Sequence, residues 1–357
     1  MTYLINPNFL CRNITGIERF AYETCIFLDS LITPQDDFRI IIPSNAKNVP
    51  DYKNIKIIKS EKPLTSFPRW DLFEFSKWCK KLHATGINFS NTAPLGKYCG
   101  IAFIHDIYPK LYPADFISFK EKLIKLYSCL NYWNISKNAK RVLTVSEFSK
   151  MQIQEFYKVS DERIAVIPNG WEHFNEIKEE IPDNISQLGL EKQTFYFTLG
   201  SLQKRKNLKW IVDYAKSHPE ETFAISGKSV SGFVSNEISD LKQLPNIKLL
   251  GYVTDGQVKW LMKNCKAFVF PSYYEGFGIP PLEALSVGAK IIISNSASLP
   301  EIYKDTAVYI NPYDSNCNLE NLLEEKKSSK DSQIQQLLQH YSYKNAAIKL
   351  YDCIKSI

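Results

Sequence analysis

The stretch Pro271-Ser272-Tyr273-Tyr274-Glu275-Gly276-Phe277-Gly278-Ile279-Pro280-Pro281-Leu282-Glu283-Ala284-Leu285 decides how this chain reads. An apolar run over 267–271 predicts a strand, and two glycines shape the loop after it. Residues 280–287 then predict a helix entered through Pro280 and Pro281, since proline is tolerated in a first helical turn. Glycine lets a backbone approach a ligand closely, and the N–H groups of a first helical turn form an anion site. Glu283 falls in that turn, where its carboxylate can accept two hydrogen bonds from a vicinal diol such as ribose. Glu275, eight residues earlier, precedes the loop and is expected to point toward the same ligand. A glutamate at a helix start also serves simply to complement the helix dipole. The pair that brackets the loop is what favours a binding site.

The same strand–loop–helix pattern extends outward in both directions. In the second half, strands fit 194–199, 222–226, 247–250, 267–271, 290–294 and 307–310. Helices fit 208–217, 255–263 and 280–287, with a charged helical region at 319–339. In the first half, strands fit 38–43, 55–59, 100–105, 141–145 and 164–168, and helices fit 17–29, 116–133 and 146–155. Such alternation is the mark of α/β domains with parallel sheets, and 357 residues exceed what one core usually serves. Two domains are expected, 1–173 and 174–342, with the break in the polar segment 172–193. A last helix at 343–354, within the segment 343–357, is long enough to cross back to the first domain.

Hydrophobic residues at 44% and charged ones at 23% describe a globular protein with ample core material. No run approaches the roughly 18 apolar residues of a membrane span. The opening Met1-Thr2-Tyr3-Leu4-Ile5-Asn6-Pro7 has neither the basic nor the apolar region of an export signal, so a cytoplasmic protein is expected. Eight cysteines without a C-x-x-C pair argue against a zinc knuckle or redox motif and read as buried thiols. The net charge of +6 lies wholly in the first half: residues 1–173 hold 23 basic against 17 acidic side chains, and 174–357 hold 21 of each. From Lys77 to Arg141 eleven basic residues face only Asp106, Asp115 and Glu121. That imbalance suits an anionic partner: a phospholipid surface, a lipid diphosphate or nucleic acid. No recognised nucleic-acid-binding motif is present, so nucleic acid is not expected. Two stretches mix basic and aromatic residues as an anionic interface would. Residues 67–81, with Trp70, Phe73, Phe75, Trp78, Lys77, Lys80 and Lys81, read equally as membrane contact and as core. Residues 116–133 space Phe116, Phe119, Leu123, Leu126, Leu130 and Trp133 at helical intervals, and such a stripe is expected to pack on its own sheet.

The segment from Glu275 to Glu283 resembles the E-x7-E motif of the retaining glycosyltransferases of the large GT4 family, which have the GT-B fold. Thr144-Val145-Ser146-Glu147-Phe148-Ser149-Lys150 and Val166-Ile167-Pro168-Asn169-Gly170 resemble that family's passage into its second domain. Gly200-Ser201-Leu202-Gln203-Lys204-Arg205-Lys206-Asn207 resembles its phosphate-binding loop, and Ser294-Asn295-Ser296-Ala297-Ser298-Leu299-Pro300-Glu301 the strand and loop after E-x7-E. The likeness covers most of 95–315 and weakens toward both ends. His105-Asp106 and Ser298-Leu299-Pro300-Glu301 look most like the mannosyltransferase-type branch. The resemblance implies two Rossmann-like domains with parallel sheets facing each other across a cleft. It also implies an acceptor on the first domain, a nucleotide sugar on the second, and hexose transfer with retention.

Cleaving a nucleotide sugar puts negative charge on the departing diphosphate, which something must stabilise. No D-x-D motif offers carboxylates for a metal, so neither a metal nor another cofactor is expected. Fixed cations are the other solution. Arg205 and Lys206 stand where a strand ends, with Asn207 placed to cap the next helix; a solvated basic turn is the alternative reading. The resemblance assigns both cations to the diphosphate. It adds Gly16, from a loop that approaches the phosphates, and Gly200 in the phosphate loop. Gly227, Tyr252 and Val253 sit in strand-end loops where relatives seat the base, although Lys228 reads as well as an ordinary turn. Gly276, Phe277, Gly278, Ile279, Pro280, Leu282 and Glu283 surround the sugar and ribose on this reading.

His105 closes an apolar strand at the carboxyl edge, where open α/β sheets place ligands, and is expected to hydrogen-bond the sugar or orient the acceptor. With Arg205, Lys206 and Glu275 it completes the catalytic candidates. Arg12 and Arg19 read equally as acceptor or phosphate contacts and as surface charges; Asp106 joins them on the acceptor side. His173 reads as structural. No general base stands out, so a phosphate oxygen of the leaving group is expected to take the acceptor proton. GDP-mannose is the first expectation for the donor, with UDP- or dTDP-sugars open. The acceptor expected is a glycan or lipid-linked oligosaccharide of surface polysaccharide synthesis, at the inner face of the cell membrane. A nucleotide-sugar epimerase of the same fold, or a silent nucleotide-sugar-binding module, are rivals; the paired E-x7-E and Arg-Lys-Asn segments favour transfer.

Overall fold

The computed structural model describes residues 1–200, 203–227, 243–326 and 331–357. Ser201, Leu202 and Lys228, which the sequence sets beside phosphate and base, lie outside the described residues. The chain forms two compact units, residues 1–170 with 341–357, and residues 171–340.

The first unit is a seven-stranded parallel sheet in the order β3-β2-β1-β4-β5-β6-β7. Its strands are β1 Thr2–Ile5, β2 Asp37–Ile42, β3 Lys56–Lys59, β4 Thr85–Asn88, β5 Ile101–Phe103, β6 Arg141–Thr144 and β7 Ile164–Val166. The principal helices are α1 Gly16–Leu31, α2 Ser76–Leu82, α3 Phe119–Asn138, α4 Glu147–Tyr157 and, from the chain's far end, Tyr343–Lys355. Period-two alternation sorts the strand residues between the faces. Tyr3, Ile5, Phe38 and Ile40 pack with α1 and the Tyr343–Lys355 helix, while Leu4 and Ile41 pack with Trp70, Phe75 and Cys79 on the other face.

Five strands were expected here, and β1 and β4 are the additions. Asn6-Pro7 cuts β1 short, and β4 is Thr-Gly-Ile-Asn, which carries little strand propensity. Gly86 in β4 is required by packing. A Cβ there would lie 2.9 Å from Phe75 Cε1, and one on Gly100 (φ +63°) would lie 2.2 Å from the Gly86 carbonyl oxygen.

Helix α3 opens with a capping box in which Ser118 and Glu121 satisfy each other's amides. Its stripe departs from the expectation. Phe119 (78% exposed), Leu123, Leu126, Leu130 and Trp133 face solvent, and the helix buries Asn131, Tyr132, Asn134, Ile135 and Ser136 instead. The reason lies in the last two turns, where Asn131 and Asn134 reach the chain at 93–96 through side-chain hydrogen bonds and turn the outer face away from the sheet. In 67–81, Trp70 and Phe75 are core and Phe73 is exposed. No helix of the described residues is long and apolar enough to cross a membrane.

The second unit repeats the architecture with a six-stranded parallel sheet, β10-β9-β8-β11-β12-β13. Its strands are β8 Phe195–Leu199, β9 Thr222–Ser226, β10 Ile247–Gly251, β11 Ala267–Phe270, β12 Ile291–Ser294 and β13 Val308–Ile310. Phe268, Val269, Ile291, Ile292 and Ile293 are all buried, as strands covered on both faces must be. Helices α5 Leu208–Ser217, α6 Asp255–Asn264, α7 Ile279–Ser286 and α8 Leu299–Tyr303 follow their strands. The charged region 319–339 resolves into α9 Leu319–Glu325 and α10 Asp331–His340, which makes the Tyr343–Lys355 helix α11. In each sheet the chain winds first one way from a central strand and then the other. The reversals fall at β1/β4 and β8/β11, the positions beyond whose carboxyl ends open α/β sheets receive ligands.

Candidate functional site

The loops after β8 and β11 meet at the reversal in the second sheet. Lys204–Lys206 forms a short 3-10 turn after β8. Tyr273 N donates to Arg205 O at 3.0 Å, and Asn207 Nδ2 donates to Pro271 O at 3.0 Å and Pro312 O at 2.7 Å. Asn207 thus ties the β8 loop to the end of β11; it precedes α5 with φ +59° and makes no side-chain cap, contrary to expectation.

Glu275 is 5% exposed and ion-paired to both cations, with Arg205 Nη1 at Oε2 and Lys206 Nζ 2.7 Å from Oε1. Lys206 also lies 4.6 Å over the Phe270 ring. Burial by itself would raise the Glu275 pKa, but Arg205 and Lys206 outweigh it and hold the carboxyl below its ordinary value. A carboxylate between two cations leaves one net positive charge at the sheet edge, with both cations held in place.

The loop carbonyls are turned into the protein. Ser296 Oγ donates to Tyr273 O, Arg205 Nη1 to Tyr274 O, Ser298 Oγ to Glu275 O and Phe277 O, and Ser294 and Tyr303 hydroxyls to Ser272 O and Gly278 O. Gly278 has φ +91°, and a Cβ there would lie 2.6 Å from Leu299 Cδ2, so only glycine fits. Helix α7 then begins at Ile279 with prolines at 280 and 281. Those prolines have no N–H, so the helix start presents fewer amides than a first turn usually does. Pro281, Leu282, Gly276 and Phe277 are buried, with Ile279 and Pro280 half-buried.

Glu283 lies on α7 with its Oε1 3.1 Å from His173 Nε2, and both side chains are largely buried. His173 was read as structural, and the tertiary fold sets it against Glu283. Its sequence signal was faint, since Trp171-Glu172-His173 has no spacing relation to 275–283.

The base-side candidates are placed at strand ends. Gly200 N donates to Ser226 O at 2.5 Å and Gly227 N to Gly251 O at 2.7 Å, and a Cβ on Gly227 (φ +150°) would lie 2.5 Å from Gly200 O. Gly200 and Gly227 are thus in backbone contact, while Tyr252 is exposed and Val253 half-buried.

In the first unit, His105 follows β5 and is buried between the Phe103 and Phe20 rings. Its Nε2 sits 2.7 Å from Phe89 O, which makes that nitrogen the protonated one, and burial lowers its pKa so the ring stays neutral. Asp106 accepts from Tyr108 N at 3.0 Å as a turn residue. Arg12 pairs with buried Glu18 at 3.0 Å and lies 4.0 Å over Phe67; Arg19 is 3.7 Å from Glu23; Gly16 is exposed at the start of α1. Among the described residues no group of three His, Cys, Asp or Glu is placed to hold a metal ion.

Residues 180–336 match the family model described as Glycosyl transferases group 1, and residues 14–173 match that of Glycosyltransferase Family 4. The chain is similar to O-antigen chain mannosyltransferase B of Escherichia coli, 30% identical over 60% of this chain and 58% of that protein. It is also similar to an Escherichia coli UDP-Gal:alpha-D-GlcNAc-diphosphoundecaprenol alpha-1,3-galactosyltransferase, 29% identical over 68% of this chain and 64% of that one. The alignments thus span less than two thirds of either relative. Among solved structures, Anabaena HepE in complex with UDP-glucose superposes with a TM-score of 0.69 at 16% identity, covering 100% of both chains.

Proposed function

Because the chain belongs to the group 1 glycosyltransferases of family 4, with two parallel-sheet α/β units of the GT-B fold, we propose that it transfers a hexose from a nucleotide sugar held by its second unit. One observation carries the reading: Arg205, Lys206 and Glu275 converge at the carboxyl edge of β8 and β11, where the second sheet reverses. Two fixed cations there can receive the charge of a departing diphosphate, which is the role a divalent metal plays elsewhere. Glu283, steadied by His173, accepts hydrogen bonds from the ribose diol. Gly276, Phe277 and Ile279 border the sugar.

In the proposed reaction the acceptor hydroxyl oxygen bonds to the anomeric carbon on the face that the diphosphate leaves. The carbon–oxygen bond to the diphosphate breaks, and a phosphate oxygen takes the hydroxyl proton. This course gives retention and uses no metal. Mannose from GDP-mannose is the first candidate, supported by the mannosyltransferase relative; the galactosyltransferase relative keeps UDP-sugars in view. The acceptor is a glycan or lipid-linked oligosaccharide of a surface polysaccharide. The exposed apolar stripe of α3 with Lys120, Lys122 and Lys125 supports contact with an anionic membrane face.

The test is a screen of GDP-mannose, UDP-galactose, UDP-glucose and a dTDP-hexose with excess EDTA present, followed by trials with lipid-linked acceptors. Turnover of one donor, undiminished by EDTA, is expected. Epimerised donor as the product, or activity that EDTA abolishes and Mg²⁺ restores, would overturn the reading.

A further inference from the structure

Helix α3 carries its exposed apolar residues in one line. Phe119, Leu123, Leu126, Leu130, Trp133 and Lys137 follow one another at steps of four and three, so they share a face along the helix. The first five are each more than half exposed. At its far end the line reaches a cavity of about 310 Å³ at the ends of α3 and α4 and the turn before β7. That volume falls within the range of small-molecule pockets, roughly 300–1,000 Å³. Trp133, 56% exposed, and Phe156 of α4, 42% exposed, form its apolar side. Exposed apolar surface rimmed by polar residues marks a place of interaction.

The rest of the lining is cationic. Lys137 stands in the last turn of α3, Lys158 directly follows α4, and Arg163 closes the 3-10 turn Asp161–Arg163. All three line the cavity, and no carboxylate does among the described residues. Nor does any of the three form an ion pair there, whereas the neighbouring Asp161 is taken by Lys150 at 2.6 Å. Arg163 is held by the end of α3, its Nη2 donating to Ala139 O at 2.7 Å and to Lys137 O at 3.4 Å. Lys137 Nζ lies 5.8 Å over the Trp133 ring, so this cation stays beside the aromatic that borders the cavity. Three positive charges around one hollow, with no counter-charge in its wall, repel one another and draw an anion.

Two further lining residues, Ser136 and Tyr157, have hydroxyls that are buried and lack a partner in the protein. Burial raises the Tyr157 pKa, so its O–H keeps its proton. The wall is therefore rich in positive charge and N–H groups and has no negative charge to offer, which suits a group that accepts hydrogen bonds and carries negative charge. A phosphate is such a group. Free phosphate would account for the cations but not for Trp133, Phe156 and the apolar line that leads to them. A phosphate carried on acyl chains accounts for both.

We propose that Lys137, Lys158 and Arg163 seat the phosphate of an anionic lipid headgroup, with Trp133 and Phe156 against the start of its acyl chains. This rests on the membrane contact proposed for α3 and gives that contact a defined site; it does not depend on the identity of donor or acceptor. Diffuse attraction to a membrane follows the total charge, whereas a seat depends on which charges are present. Lys137 and Lys158 are exposed and Arg163 half-buried, so a headgroup reaches them from solvent.

The experiment uses the full chain at about 0.15 M salt, where exposed charges more than about 8 Å apart are largely screened. The probes are dihexanoylphosphatidylglycerol below its micellar concentration, dihexanoylphosphatidylcholine and inorganic phosphate, each followed by calorimetry. The wild type is expected to bind the phosphatidylglycerol about tenfold more tightly than either other probe. Lys137→Gln/Lys158→Gln should weaken that binding about tenfold or more. Lys120→Gln/Lys122→Gln, the same loss of charge elsewhere on α3, should change it less than about twofold. If the first pair does not fold, Lys158→Gln alone, expected to weaken binding about threefold or more, decides the matter. Equal weakening by the two pairs would reduce the site to diffuse charge and overturn the proposal. Phosphate bound as tightly as the lipid would do the same, and so would phosphatidylcholine bound as tightly. Flotation on phosphatidylglycerol vesicles separates the two levels of failure. A wild type that floats but ignores the monomeric lipid overturns the seat alone, and one that does neither removes the membrane contact first and the seat with it.

Discussion

At the scale of single residues, the charge arrangement at the edge of the second sheet rests on Glu275. It is buried and holds Arg205 and Lys206 before any ligand arrives, so removing it leaves two cations partly buried and uncompensated. Glu275→Gln is expected to lower stability at pH 7 by about 2–4 kcal/mol, since breaking a buried pair costs more than the pair contributes. Because the folded pKa of Glu275 lies below its ordinary value, its stabilisation is present above the unfolded pKa and lost as pH falls through the folded one. Urea unfolding at pH 7 and pH 4 should therefore show the gap between wild type and variant narrowing at the lower pH. A constant gap would mean that charge is not what Glu275 contributes.

Glu283 carries a second expectation at this scale. Truncation to Ala should weaken nucleotide binding by about 1.5–3 kcal/mol, the worth of charge-assisted hydrogen bonds to a ribose diol. His173 contacts Glu283 and acts through it, so His173→Ala should weaken binding by about 0.5–1.5 kcal/mol, and His173→Gln, which keeps an N–H near the same place, should recover most of it. Calorimetry on the two singles and the double mutant tests the coupling. Additive losses would show that the contact does not position Glu283.

At the scale of elements, the β11–α7 loop shows how a binding surface is made rigid from behind. Serines at 294, 296 and 298 and Tyr303 donate to its carbonyls, while the positive φ at Gly278 (+91°) calls for glycine there. The strand–loop–helix frame was legible because it depends on local residues. The tethers were not, because they come from β12 and α8, some twenty residues away. Helix α3 is the opposite case. Its apolar stripe was visible, but periodicity shows only that a face is apolar and not what covers it. With Phe119, Leu126 and Trp133 more than half exposed and lysines alongside, α3 is expected to draw the protein onto vesicles containing anionic phosphatidylglycerol, with little binding to neutral phosphatidylcholine. Flotation of a Phe119→Ser/Trp133→Ser variant should show binding reduced about tenfold. Equal flotation of variant and wild type would remove the membrane from the proposal.

At the scale of the whole molecule, each unit is a doubly wound parallel sheet, and in each a polar cluster stands where the winding reverses. The sequence by itself determined the α/β class, five of the seven first-unit strands and all six described strands of the second, and it singled out Glu275, Glu283, Arg205 and Lys206 as candidates. These follow from hydrophobic period and from residue types set at fixed spacing, which are local properties of a chain. Tertiary structure decided the rest: the buried strands β1 and β4, the exposure of α3, the seat of His173 beside Glu283 and the gathering of Asn6, Asn8, Asp71 and Thr92. Each joins residues distant in sequence, and only packing fixes which faces are covered and which distant polar atoms meet.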